Sequence, residues 1–235
     1  MRIGHRIVEP GEVGKWEGAE IYQISLYRGR GDNLGRLARC ARAASAEGTP
    51  YVVHPVQYSL LEPACLDELR EMARLSGDAL ILHDERAPDG GRLRGREAEE
   101  FRAAARELSK LAHLSFENAT DSGDAPWFWE EFARSVTLDM GHMESAGLDS
   151  AAFVRALPED ILRRVRYVHM HRNGSLHGGL TDHWPLRADC REVRALRELL
   201  KRRRDVDVLL EINEREETAE SLRILGAVRA SFPDA

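Results

Sequence analysis

Lysine is nearly absent from this chain of 235 residues: Lys15, Lys110 and Lys201 are the only three. None falls in a predicted strand, so Schiff-base chemistry and a strand lysine acting as general base are not expected. Cysteine is as sparse. Cys40, Cys65 and Cys190 are odd in number, far apart and without ligand spacing. They read as reduced, structural thiols, not as a disulfide frame or a thiolate metal site. No run approaches the eighteen or so apolar residues of a membrane span. The N-terminal MRIGHRIVEPGE lacks the apolar stretch of a signal peptide, and the expected location is the cytoplasm. A formal net charge of −6 leaves no basic footprint, so nucleic acid is not an expected partner.

What is present is an ordinary balance of 43% hydrophobic and 31% charged residues, enough for a sizeable core. Short apolar runs alternate with helical periodicity from end to end. The runs are 3–7, 20–26, 51–56, 79–84, 114–118, 135–142, 165–171 and 206–213. Between them, Leu34, Leu37 and Ala41 share one helical face after the turn Gly31-Asp32-Asn33. Phe101, Ala104, Ala105, Leu108 and Leu111 share another, as do Val193, Leu196, Leu199 and Leu200. A last helix carries Leu222, Leu225 and Val228 from a Thr218 N-cap. The strands are nearly continuous in apolar character, as parallel strands buried on both faces must be. About eight strand–helix units in one chain predict a (β/α)₈ TIM barrel, a single domain over residues 1–235. An open doubly wound sheet is the rival, but no Gly-rich dinucleotide turn follows the first strand. The second unit is the weakest, since 11–18 leaves room for only a short helix.

The stretch 166–186 (RYVHMHRNGSLHGGLTDHWPL) breaks an apolar strand with His169 and His171, two residues apart and so on one face. The other runs also end in residues that bind metals or move protons: His54, His83, Glu117, Asp139 with His142, and Glu211. In a barrel the C-terminal strand ends meet at one face, so these groups would converge in one pocket. Imidazoles with carboxylates suit Zn²⁺ or Mn²⁺. Bland readings exist. His54 before Pro55 could bond only backbone, and Asp139 could cap the following segment while Gly141 turns the chain. Glu117 and Glu211 are harder to explain so, because unpaired carboxylates rarely bury. His5 either lines the pocket or fills the barrel, and His113 reads as structural. Arg172, Asn173, Asp182 and Trp184 are expected substrate contacts together with His171. Trp184 reads equally as a packing anchor for its loop.

The pieces FENA (116–119), LDMGH (138–142), VHMH (168–171), DHWPL (182–186) and LLEIN (209–213), in that order, resemble the xylose isomerase-like barrels. That superfamily includes endonuclease IV and the sugar phosphate isomerases and epimerases. The resemblance implies a metal held by Glu117, Asp139, His169 and Glu211, as in the single-metal isomerases. It implies further metal ligands at His54, His83, His142 and His183, as in the three-zinc endonuclease IV branch. The chain departs from that branch at Thr181, where an Asp-x-His pair would have its Asp.

Two activities follow as expectations. The first is a phosphoesterase with two or three Zn²⁺ ions bridged by Glu117, acting on a phosphoester or phosphodiester of a small molecule. The second is a sugar or sugar-phosphate isomerase or epimerase with one Mn²⁺, Mg²⁺ or Co²⁺. There Glu117 and Glu211 are the catalytic carboxylates, exchanging a proton at the intervening carbon. The histidine count favours hydrolysis, and the short loops and missing basic surface argue against a DNA substrate. A barrel that binds a ligand without turnover is the third reading.

Overall fold

The computed structural model describes residues 1–173, 183–213 and 216–233. Eight parallel strands pair in sequence order, and β1 pairs with β8 to close the barrel. They are β1 (Ile3–Ile7), β2 (Ile21–Tyr27), β3 (Tyr51–Val56), β4 (Leu80–His83), β5 (Leu114–Glu117), β6 (Val136–Asp139), β7 (Val165–Met170) and β8 (Asp207–Leu210). The helices are α1 (Asn33–Glu47), α2 (Pro63–Arg74), α3 (Gly95–Leu108), α4 (Ala125–Phe132), α5 (Met140–Ser145), α6 (Ser150–Ala156), α7 (Glu159–Leu162), α8 (Arg191–Arg202) and α9 (Thr218–Ala230). Between β1 and β2 the chain makes only a one-turn 3₁₀ helix, Pro10–Glu12, as the short spacing predicts. Among the described residues no helix is long and apolar enough to cross a membrane.

Several boundaries differ from the sequence expectation. The run 135–142 is not one strand: β6 stops at Asp139, whose Oδ1 accepts from the His142 N–H at 2.7 Å and starts α5. Thr218 is not the N-cap of α9 but its first residue, after Glu217. Leu111 lies beyond the end of α3 and is exposed. Asn33, expected in the turn before this helix, is instead the first residue of α1, and the Asp32 carboxylate accepts from the Gly35 N–H at 2.8 Å.

The barrel interior is layered. Ile21, Val52, Ala79, Ile81, Tyr167 and Leu209 form a separate apolar plug inside it. Two residues further along the same strands, on the same face, the layer becomes polar: Gln23, His54, His83, His169 and Glu211. The register sets His83 beside Glu117 and Asp139 beside His169. The larger core lies between barrel and helices, with Tyr22, Ile24, Phe101, Phe116, Trp129 and Leu196 among its members. Arg2 ties the other end of the barrel to Asp207 at 2.6 Å and to Asp78 at 2.8 Å.

Candidate metal centre

Glu117 is the hub of the polar layer. It is fully buried, and among the described residues neither carboxylate oxygen has a hydrogen-bond partner. Four imidazoles face it instead. His54 Nε2 and His83 Nε2 lie 3.4 and 3.9 Å from Oε2, while His169 Nδ1 and His142 Nδ1 lie 3.2 and 3.4 Å from Oε1. His54 gives its Nδ1 to the Ile81 carbonyl at 3.1 Å. That contact fixes the tautomer and leaves the Nε2 lone pair pointing at the centre. His83 Nε2 approaches the same point, 3.3 Å from His54 Nε2.

Glu211 enters from β8. Its Oε1 accepts from Gln23 Nε2, and its Oε2 lies 3.8 Å from His169 Nδ1 and 3.5 Å from His183 Nε2. Asp139 enters from β6, its Oδ2 3.8 Å from His169 Nδ1 and 3.7 Å from His142 Nδ1. His169 Nδ1 therefore meets three carboxylates, and none of those contacts satisfies it as a hydrogen bond.

Burial opposes every charge here, and the partners outweigh it. Burial would push the Glu117 carboxyl up, but His169 and His54 hold it below its ordinary value. Asp139 is held down against burial by His142 and His171, and Glu211 by His169 and His183. Against its own burial, His169 is pushed up to about 10 by Glu117 and Glu211. His183 is likewise raised, to about 9, by Glu211. His83 goes the other way, and burial brings it down to about 4.

Buried carboxylate oxygens without donors are costly unless a cation compensates them. The centre therefore fits a divalent metal with mixed nitrogen and oxygen ligands. His54, Glu117, His169 and Glu211 bring one ligand atom each within 4.8 Å of one another. Glu117, Asp139 and His142 form a second such group, and His142, His171 and His183 a third. Of the expected single-metal quartet, Glu117, His169 and Glu211 fall in the first group with His54, and Asp139 falls in the second with Glu117 and His142.

His171 is committed to the protein. Its Nδ1 accepts from the His183 N–H at 2.9 Å, and its Nε2 faces Asp139 Oδ1 at 3.1 Å. Its ring stacks on His183 with centroids 4.1 Å apart. Gly141 does not turn the chain: it lies within α5, and a Cβ there would strike the His171 ring.

The remaining expected contacts lie outside the polar layer. His5 shares its side of β1 with Ile3 and Ile7, edge-on to Tyr22, and lines a cavity beside the polar layer with Arg6 and Tyr27. Arg172 donates from Nε to the Pro185 carbonyl at 3.0 Å and sits 6.0 Å over the Trp184 ring. Paired backbone bonds join Arg172 to Trp184. The Asn173 N–H donates to Glu192 Oε1 at 2.7 Å. Asp182 and Thr181 lie outside the described residues.

Three supporting residues were not singled out in the sequence. Gln23 grips Glu211. Asn118 braces the Asp139 backbone, and the buried carboxylate of Asp84 collects the amides of Ala119, Thr120 and Asp121 after β5. The available signal was a polar residue inside an apolar run, strongest at Gln23.

No protein-family model matches the chain, and no curated protein matches it in sequence. Solved structures do match in fold. The IOLI protein with a bound zinc atom is 13% identical, with TM-score 0.69 over 100% of each chain. A xylose isomerase domain protein from Alicyclobacillus acidocaldarius is 17% identical, with TM-score 0.60 over 97% of this chain and 98% of that one. D-psicose 3-epimerase solved with D-fructose is 13% identical, with TM-score 0.57 over 95% and 90%. At such identities the likeness is one of fold: the chain has the fold of the xylose isomerase-like barrels.

Proposed function

We propose that the chain is a metal-dependent isomerase or epimerase acting on a small sugar-like substrate. The observation that carries this reading is the pair Glu117 and Glu211. Both are buried, both are held ionised, and both approach the same His169 Nδ1, at 3.2 and 3.8 Å. Proton transfer between the faces of a carbon needs two such carboxylates, one to remove a proton and one to return it. The fold likeness to a zinc-bound protein and to a D-psicose 3-epimerase supports the same reading.

His54, Glu117, His169 and Glu211 would hold the ion. When bound, it supplies polarisation of a substrate carbonyl and of the neighbouring hydroxyl. The chain supplies the rest. Gln23 orients the Glu211 carboxylate, the Ile81 carbonyl fixes the His54 ring, and the apolar plug beneath closes the site to water from below. Partly exposed His83, His142 and His183 rim the opening, where substrate hydroxyls would meet imidazole donors and acceptors.

Phosphoester hydrolysis, which the histidine count favoured, becomes the second reading. One observation favours it: Glu117 belongs to two ligand groups and so suits bridging of two ions. The metal-loaded chain incubated in D₂O with a panel of ketoses, D-fructose included, separates the two. Deuterium at carbon, lost in Glu117→Gln and Glu211→Gln, is expected. No exchange with any ketose, together with turnover of a phosphodiester, would replace the isomerase reading with the hydrolase.

A further inference from the structure

Beside the metal centre, between the ends of β1, β2 and β8 and the segment after β1, lies a cavity of about 320 Å³. That is the scale of a small-molecule site. Arg6, Arg30 and Arg36 line it, with Tyr27, Asn213 and Trp16. Two carboxylates also reach it, and both are engaged. Glu9 faces Arg36 at 3.3 Å, and Glu12 Oε2 accepts from the Val8 and Glu9 amides at 2.6 and 3.1 Å.

The other two arginines keep their charge. Arg6 bonds neutral oxygens: the Tyr27 hydroxyl at 3.1 Å, the Ile212 carbonyl at 2.9 Å and Asn213 Oδ1 at 2.7 Å. Arg30 meets no carboxylate among the described residues and rests 5.1 Å from the Tyr27 ring centroid. Because the Tyr27 hydroxyl accepts from Arg6, its own proton is left to donate.

The cavity is joined to the centre by short bonds. The Asn213 N–H donates to the His183 carbonyl at 3.0 Å, while its side chain accepts from Arg6. Glu211 stands two residues before Asn213 in the chain.

We propose that this cavity is the subsite for an anionic end group of the substrate, a phosphate or a carboxylate, with Arg6 and Arg30 as its ligands. Guanidinium groups match the oxyanion geometry of both, and neither arginine is paired with a carboxylate among the described residues. The identity of the reacting end rests on the isomerase reading; the anion subsite does not.

The test is calorimetric titration of the zinc-loaded full chain with glycerol 3-phosphate, with glycerate, and with glycerol as the neutral control. Binding of at least one anion but not of glycerol is expected, weakened about tenfold or more by Arg30→Gln and by Arg6→Gln. Arg194→Gln, on the exposed face of α8, should leave it unchanged. Preference for glycerol 3-phosphate would specify a sugar phosphate, and preference for glycerate a sugar acid. If neither anion binds, or if both arginine variants bind as the wild type does, the subsite is wrong. Arg30 is exposed, so its variant reports even where Arg6→Gln folds poorly. Failure of the isomerase reading would show separately, as absent deuterium exchange with anion binding intact.

Discussion

Asn118 grips the backbone of Asp139 in both directions. Its Oδ1 accepts from the Asp139 N–H at 2.8 Å, and its Nδ2 donates to the Asp139 carbonyl at 2.9 Å. Both residues are fully buried, and the contact joins β5 to β6 at the level of the metal centre. Asn118→Ala strands two buried backbone groups, at a cost of about 1–3 kcal/mol each. It also frees Asp139 to shift against His142, and loss of such a support costs about 10–100-fold in metal affinity. Urea denaturation and competitive zinc titration check both effects. Unchanged zinc affinity would show that Asn118 serves only the fold.

Gly141 and Gly226 make an opposed pair. Both are helical, yet a Cβ at Gly141 would enter the His171 ring, whereas a Cβ at Gly226 meets nothing within 4 Å. Gly141→Ala should therefore destabilise by about 1–3 kcal/mol through overpacking. Gly226→Ala should stabilise by about 0.5–1 kcal/mol through helix propensity. Equal effects of the two variants in thermal melts would refute the packing argument.

Much of this was legible because parallel barrel strands repeat one rule: apolar below, functional at the C-terminal end. His54, Glu117, Asp139, His169 and Glu211 obey it and converge. Gln23 and Asn118 escaped because an amide does not read as a metal ligand; its role exists only through the carboxylate or backbone that it holds. His5 shows a different limit. Alternation divides a strand into two faces without saying which faces inward, and in β1 the face with Ile3 and Ile7 packs outward. Arg172 was legible as a cation but not as the group spent on Trp184 and Pro185.

Stability of the metal-free chain should pass through a maximum near the ordinary imidazole pKa, about 6.5. His169 and His183 are raised, to about 10 and about 9. Their contribution is complete below pH about 6.5 and is lost as pH rises through the folded values. His83, lowered to about 4, and the lowered carboxylates Glu117, Asp139 and Glu211 act oppositely. Their contribution is lost as pH falls through the folded values. Bound metal reverses the alkaline limb, because ligation needs neutral imidazole and releases protons. Melts from pH 5 to 9, with zinc and with chelator, should diverge above pH about 6.5. Parallel curves there would mean that His169 does not ligate.

The number of ions follows from hydrogen positions. In the third ligand group the His171 Nδ1 lone pair accepts the His183 N–H, so its proton sits on Nε2, facing Asp139. A ring nitrogen that carries the proton cannot also give a lone pair to a metal. Among the described residues that group holds no carboxylate. One tightly held zinc is therefore expected, at His54, Glu117, His169 and Glu211, with Glu117 alone open to bridging a second. Mass spectrometry of the reloaded chain reads this directly. Glu117→Ala should abolish tight binding, and His171→Phe should leave the ion count unchanged while it lowers stability. Three ions per chain, or the loss of one in His171→Phe, would overturn the tautomer assignment and restore a three-metal centre.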